Sequence, residues 1–181
     1  FIAGADNSLT GRFSRLTSRE KLWMMTFSSR VRDPVYFQVP EVKASIQGQL
    51  AKTDSAEKQA VFFYVRNFAE NLRMDGGTAL YDGLYIALNN MAAEKNKHSE
   101  YAYSVVAFTD GQANSGRTLE QFKQDYTQLP EAVRTIPVFM VLFGEAKEKE
   151  LEELVKVTGG KVFDARKLPL ATVFKEIRSY Q

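Results

Sequence analysis

The chain has 181 residues, 44% of them hydrophobic and 25% charged, with 24 basic against 22 acidic side chains and a net charge of +2. That length suits one domain with a sizeable core, and the composition excludes a disordered chain. The near-neutral balance gives no footing for a nucleic-acid partner, and the absence of cysteine with a single histidine, His98, removes the usual parts of disulfides, zinc sites and Ser-His-Asp triads.

The sequence opens FIAGADNSLTGRF, on Phe1 instead of methionine and with no basic leader. It is therefore expected to be part of a longer translation product, with any targeting segment outside it. Asp6, Ser8 and Thr10 follow at alternate positions, and three oxygen side chains so spaced could hold a hard divalent cation. LWMMTFSS (22–29) reads as a buried strand and VYFQV (35–39) as a neighbouring or edge strand after Pro34. In SAEKQAVFFYVRNFAENL (55–72), Val61, Val65, Phe68 and Leu72 fall on one helical face, and Leu80, Leu84, Leu88 and Met91 repeat that signature over 79–97.

YAYSVVAFTDG (101–111) reads as a strand ending in a turn, and TLEQFKQDYTQL (118–129) as a helix closed near Pro130. IPVFMVLFG (136–144) is almost wholly apolar, as a strand is when helices cover both faces of a parallel sheet. A helix over 147–160 ended by glycines, a short strand over 161–165 and a helix over 171–180 complete the pattern. No apolar run approaches the roughly 20 residues of a membrane-spanning helix. The alternation predicts a single α/β domain over 1–181, a doubly wound, Rossmann-like and mostly parallel sheet flanked by helices.

Ligands of such sheets bind beyond the carboxyl ends of the strands. Two segments place oxygen donors there: MDGGTALYDGL, with Thr78 after Gly76 and Gly77, and VVAFTDGQANSG, with Asp110 at a strand end. Each also has a plain structural reading. Thr78 is a natural N-cap, with Asp82 favoured near the positive helix end, and Asp110-Gly111 is a common turn pair.

Taken in order, GGTALYDGL, an apolar strand ending FTDGQ, IPVFMVLFGEA and LVKVTGGKVFDA resemble the von Willebrand factor A domain of the bacterial type, and LWMMTFSS resembles that family's second strand. The resemblance covers the chain from about residue 20 to its end, and it implies a metal-ion-dependent adhesion site. That site combines a D-x-S-x-S loop after the first strand with a threonine matched by Thr78 and an aspartate matched by Asp110. The implied cofactor is Mg²⁺ or Mn²⁺, with Ca²⁺ as an alternative, and the site could also stand empty in this chain. An ion ligated largely by hydroxyls is left under-neutralised, so a carboxylate from a protein partner can complete its shell. Gly77, Gln112 and Asn114 would lie against that partner.

DNSLT has two readings. As a metal loop it would leave eleven residues, GRFSRLTSREK, for a crossover helix and both its loops before Leu22. A crossover from a six-residue strand needs about 13 helical residues plus loops. As a plain loop it fits the spacing better, with FIAGA the tail of the family's first helix. The chain would then lack the family's first strand and helix, and another segment or a second copy would have to supply them.

The expected function is a non-enzymatic protein-binding module with this metal site. Its alternative is a metal-independent scaffold domain within a larger bacterial envelope protein or complex. An enzyme is disfavoured, since no G-x-G-x-x-G or G-x-x-x-x-G-K-[ST] loop and no acid–base constellation occurs. Relatives of this type suggest a secreted or membrane-anchored location in bacteria.

Overall fold

The computed structural model describes residues 21–32, 35–38, 70–71, 76–110, 112–144 and 148–180. The chain forms two compact units, one of residues 1–25 and 33–74, the other of 26–32 and 75–181. In the first, β1 (Lys21–Met24) and β2 (Val35–Gln38) pair antiparallel, with Lys21 opposite Gln38 and Met24 opposite Val35. The strand expected over 22–29 is therefore shorter. Beyond Met25 the chain turns back on itself, with an isolated bridge between Phe27 and Val31 and a 2.9 Å bond from Arg32 N to Thr26 O. The helix expected over 55–72 lies outside the described residues, apart from 70–71, as do Asp6, Ser8 and Thr10.

The second unit holds the rest of the described elements in this order: α1 (Leu80–Lys97), β3 (Val105–Thr109), α2 (Leu119–Gln128), α3 (Glu131–Arg134), β4 (Val138–Leu142), α4 (Glu148–Thr158), β5 (Val162–Asp164) and α5 (Leu170–Ser179). The three strands form a parallel sheet in the order β3-β4-β5, with Val105 opposite Val138 and Met140 opposite Val162. This is the predicted α/β arrangement. Its one unforeseen element is α3, a single turn after Pro130 that is too short to show a periodicity.

All five residues of β4 are buried, which explains why its sequence shows no polar alternation. Val138, Met140 and Leu142 pack with Leu80, Leu84 and Leu88 of α1, Phe122 and Tyr126 of α2 and Leu151 and Leu154 of α4. Phe139 and Val141 face the other way, into Phe163 and the Val173 and Ile177 side chains of α5. The sheet is thus covered on both faces, as a doubly wound fold requires. The α2 helix begins in a reciprocal capping box, Thr118 Oγ1 accepting from Gln121 N and Gln121 Oε1 accepting from Thr118 N. Burial pushes the Tyr81 hydroxyl's pKa up, and its 2.6 Å bond to Glu150 Oε1 adds to the shift. Among the described residues no helix is long and apolar enough to cross a membrane.

A charged clasp secures the end of β5. Arg166 grips Asp164 through Nε to Oδ1 at 2.7 Å and Nη2 to Oδ2 at 2.8 Å, and gives Nη1 to the Gly144 carbonyl at 2.9 Å. The Arg166 fork, with help from Lys167, holds the Asp164 carboxyl well below the usual carboxylate range. A carboxylate with a depressed folded pKa stabilises fully above its unfolded pKa of about 3.9, and that share is lost as the pH falls through the folded value. Asp164→Asn should therefore melt lower than the wild type near neutral pH, and the gap should narrow as the pH falls below about 4. Thermal melts of both proteins at stepped pH check this; a gap constant down to the acid limit would refute it.

Candidate functional site

Four short stretches of the second unit build the site: 26–32, 76–79, the residues after β3 and the turn after β4. Helix α1 starts one residue later than a Thr78 cap would place it. Its N-cap is Ala79, which has no side-chain capping bond, and the Ala79 amide instead donates to Ser28 O at 2.6 Å. The structure thus puts Ala79, and not Thr78, at the cap position, and the Ser28 carbonyl takes the amide of Ala79 itself. The Thr78 hydroxyl has no hydrogen-bond partner among the described residues. The local reason is packing, since the Phe27 ring sits against buried Gly83, where an added Cβ would stand 3.1 Å from it.

The turn bearing Thr78 is gripped from two sides. Gly77 N donates to Ser29 Oγ at 2.8 Å. Thr78 N donates to Asn114 Oδ1 at 2.7 Å, and Asn114 N donates back to Thr78 O at 3.1 Å. Ser115 Oγ also donates to Asn114 Oδ1, at 3.1 Å. Gly76 takes a left-handed φ of 72°, and a Cβ on Gly77 would come within 2.7 Å of Asn114 Oδ1. The two glycines thus let one loop turn sharply and the other approach closely.

A second clasp lies one turn further on. Arg117 Nη1 donates to Asp82 Oδ1 and Nε donates to Asp125 Oδ2 at 2.7 Å, while the guanidinium lies 4.4 Å from the centre of the Tyr85 ring. Asp82 therefore anchors the loop after β3 to α1, a role beyond the helix-dipole contribution expected from sequence.

Asp110 follows β3 directly and is exposed. Its backbone lies under the turn after β4, where a Cβ on Gly144 would stand 2.5 Å from Asp110 O. Arg166 holds that turn through the Gly144 carbonyl. The Asp110 carboxylate has no hydrogen-bond or ion-pair partner among the described residues. The structure thus brings the loop that starts at Asp110 against the turn bearing Thr78, through Asn114. Gln112 is exposed on the same loop, and Gly111 lies outside the described residues.

The donors suit a hard cation in kind, being one carboxylate and hydroxyls, with neither sulfur nor imidazole. They fall short in number. Among the described residues no group of three or more acidic, histidine or cysteine side chains could hold a metal ion. Gly77, Thr78, Asp110, Gln112 and Asn114 stand out in the sequence, whereas Ser29 reads there only as the end of a strand.

No curated protein matches the chain. The model of the von Willebrand factor type A domain matches residues 13–176. Domains of that kind are in general protein-interaction modules and not enzymes, on a Rossmann-like α/β fold such as the one described above. With nearly its whole length matched and the parallel sheet in place, the chain belongs to the von Willebrand factor type A domain family.

Proposed function

We propose that this domain binds a protein partner through a divalent cation held at the carboxyl ends of its strands, with Thr78 and Asp110 among the ligands. The observation that carries the reading is the state of these two side chains. Neither the Thr78 hydroxyl nor the Asp110 carboxylate has a partner within the described fold, and Thr78 is not the N-cap of helix α1. Mg²⁺ or Mn²⁺ would supply a Lewis-acidic centre that accepts an acidic side chain from the partner. An ion ligated largely by hydroxyls and waters keeps an open position that an incoming carboxylate can fill. Further ligands would come from a D-x-S-x-S loop, either Asp6, Ser8 and Thr10 or a segment supplied from elsewhere.

Gln112 and the Asn114 amide nitrogen sit on the same loop as Asp110 and would meet the partner beside the ion. Gly77 would let it approach, since any larger residue there collides with Asn114 and Ser115.

The test is a thermal melt in EDTA against the same protein in millimolar Mg²⁺ or Mn²⁺. An ion that binds only the folded state adds about 2.7 kcal/mol at 100 times its dissociation constant, a rise of several degrees. The rise should vanish in Asp110→Ala, whose midpoint in EDTA should match the wild type because the exposed carboxylate has no partner to lose. No rise in the wild type, or an equal rise in the variant, would remove the metal from the reading and leave a metal-independent interaction domain.

A further inference from the structure

We infer that Asn114 is a positioning residue of this site, holding the Thr78 hydroxyl where a cation would need it; the inference rests on the metal reading above. Among the described residues, Asn114 alone bonds to both backbone groups of Thr78. Its side-chain oxygen takes the Thr78 amide at 2.7 Å, and its own amide gives to the Thr78 carbonyl at 3.1 Å. A residue held by both its N–H and its C=O keeps its backbone orientation, and the stiff χ1 of threonine then limits where its hydroxyl can stand.

The opposite side of the turn is closed by Ser29, which accepts from Gly77 N at 2.8 Å, and by Ser28, whose carbonyl accepts from Ala79 N at 2.6 Å. Three successive amides, of Gly77, Thr78 and Ala79, are therefore satisfied by residues distant in sequence. None of these three amides remains free to turn toward a ligand.

Asn114 also joins the two candidate ligands, because it lies on the loop that begins at Asp110. Ser115 braces the same side-chain oxygen at 3.1 Å, and Arg117 fixes the loop's far end to Asp82 and Asp125. A shift of Asn114 would therefore be felt at Thr78, so the loop after β3 and the turn before α1 are coupled at this point. Ligation by separately mobile donors would lose the ordering entropy that this clasp has already removed.

The experiment compares wild type, Asn114→Ala and Asn114→Asp by amide hydrogen exchange in EDTA and by Mn²⁺ titration. Aspartate keeps an oxygen for the Thr78 amide, whereas alanine does not. In Asn114→Ala the Thr78 amide should exchange about 10-fold faster, with Ala79 little changed, and Mn²⁺ affinity should fall about 10-fold, the scale typical of lost outer-shell support. Asn114→Asp should restore both. Unchanged Thr78 exchange in Asn114→Ala would overturn the inference, as would a lowered melting midpoint with Mn²⁺ affinity intact, which marks a structural role alone. Faster exchange in a protein whose wild type binds no Mn²⁺ would overturn the metal role of Asn114 along with the reading beneath it, and would leave the clasp as a loop staple.

Discussion

Phe139→Ala is expected to destabilise the domain by about 3–5 kcal/mol, roughly a fifth or more of the stability typical of a small domain. Phe139 is fully buried in β4, with its ring centre 6.2 Å from that of Phe163 and 5.5 Å from that of Tyr180. Removing it opens a cavity between sheet and α5 that β4 cannot close, because the opposite face of the same strand is packed by α1, α2 and α4. Val157→Ala provides the contrast. Val157 is 38% exposed on α4, and its truncation should change stability by less than about 0.5 kcal/mol. Urea unfolding of the three proteins checks the order. A loss at Phe139 no larger than that at Val157 would mean that α5 does not pack on the sheet as described.

The same residues show what the sequence makes legible. IPVFMVLFG announces a strand covered on both faces because five consecutive buried positions leave no room for a polar residue. Helix α1 is equally plain, with Leu80, Leu84 and Leu88 all buried at helical spacing. The run LWMMTFSS misled in its second half. An apolar stretch of that length reads as strand, but Phe27 is needed against Gly83, 56 positions further along the chain, and the backbone leaves the strand to bring it there. Tertiary demand overrides local propensity at such points.

The site divides in the same manner. Gly77, Thr78 and Asp110 could be picked out because each sits where a strand or helix boundary meets a hard oxygen donor or a glycine. The clasp residues could not be recognised as such, since their bonds span 48 positions for Ser29 and 36 for Asn114. Nothing local marks a serine after a strand or an asparagine in a loop as the holder of a distant amide. Thr78 was the most ambiguous. A threonine before a helix reads first as a cap, but the helix starts one residue later, with Ala79 at the cap position.

Two adjacent glycines offer the sharpest separation of fold from site. Gly159 and Gly160 end α4, and from sequence both read as helix terminators. The structure gives them different duties. Gly159 has a φ of 71° and nothing within 4 Å of where a Cβ would be, so Gly159→Ala should cost about 1–2 kcal/mol of left-handed strain and no more. Gly160 has no such φ, but a Cβ there would stand 2.5 Å from the Val138 carbonyl carbon and closer still to its oxygen. That neighbour is backbone in the central strand, with no rotamer through which to yield. Gly160→Ala should therefore cost about 3 kcal/mol or more, by prying the start of β5 from the start of β4. The order is the reverse of what backbone dihedrals alone would suggest, and thermal melts of the two variants decide it. Both glycines precede β5 and so lie at the amino end of the sheet, whereas Asp110 follows β3 at its carboxyl end. The Mg²⁺-dependent rise in melting temperature should accordingly persist in Gly160→Ala on a lowered baseline. If that rise disappeared with Asp110 and Thr78 intact, the two ends of the sheet would be coupled, and the cation could not be binding to a site preformed by the clasps of Ser29, Asn114 and Arg117.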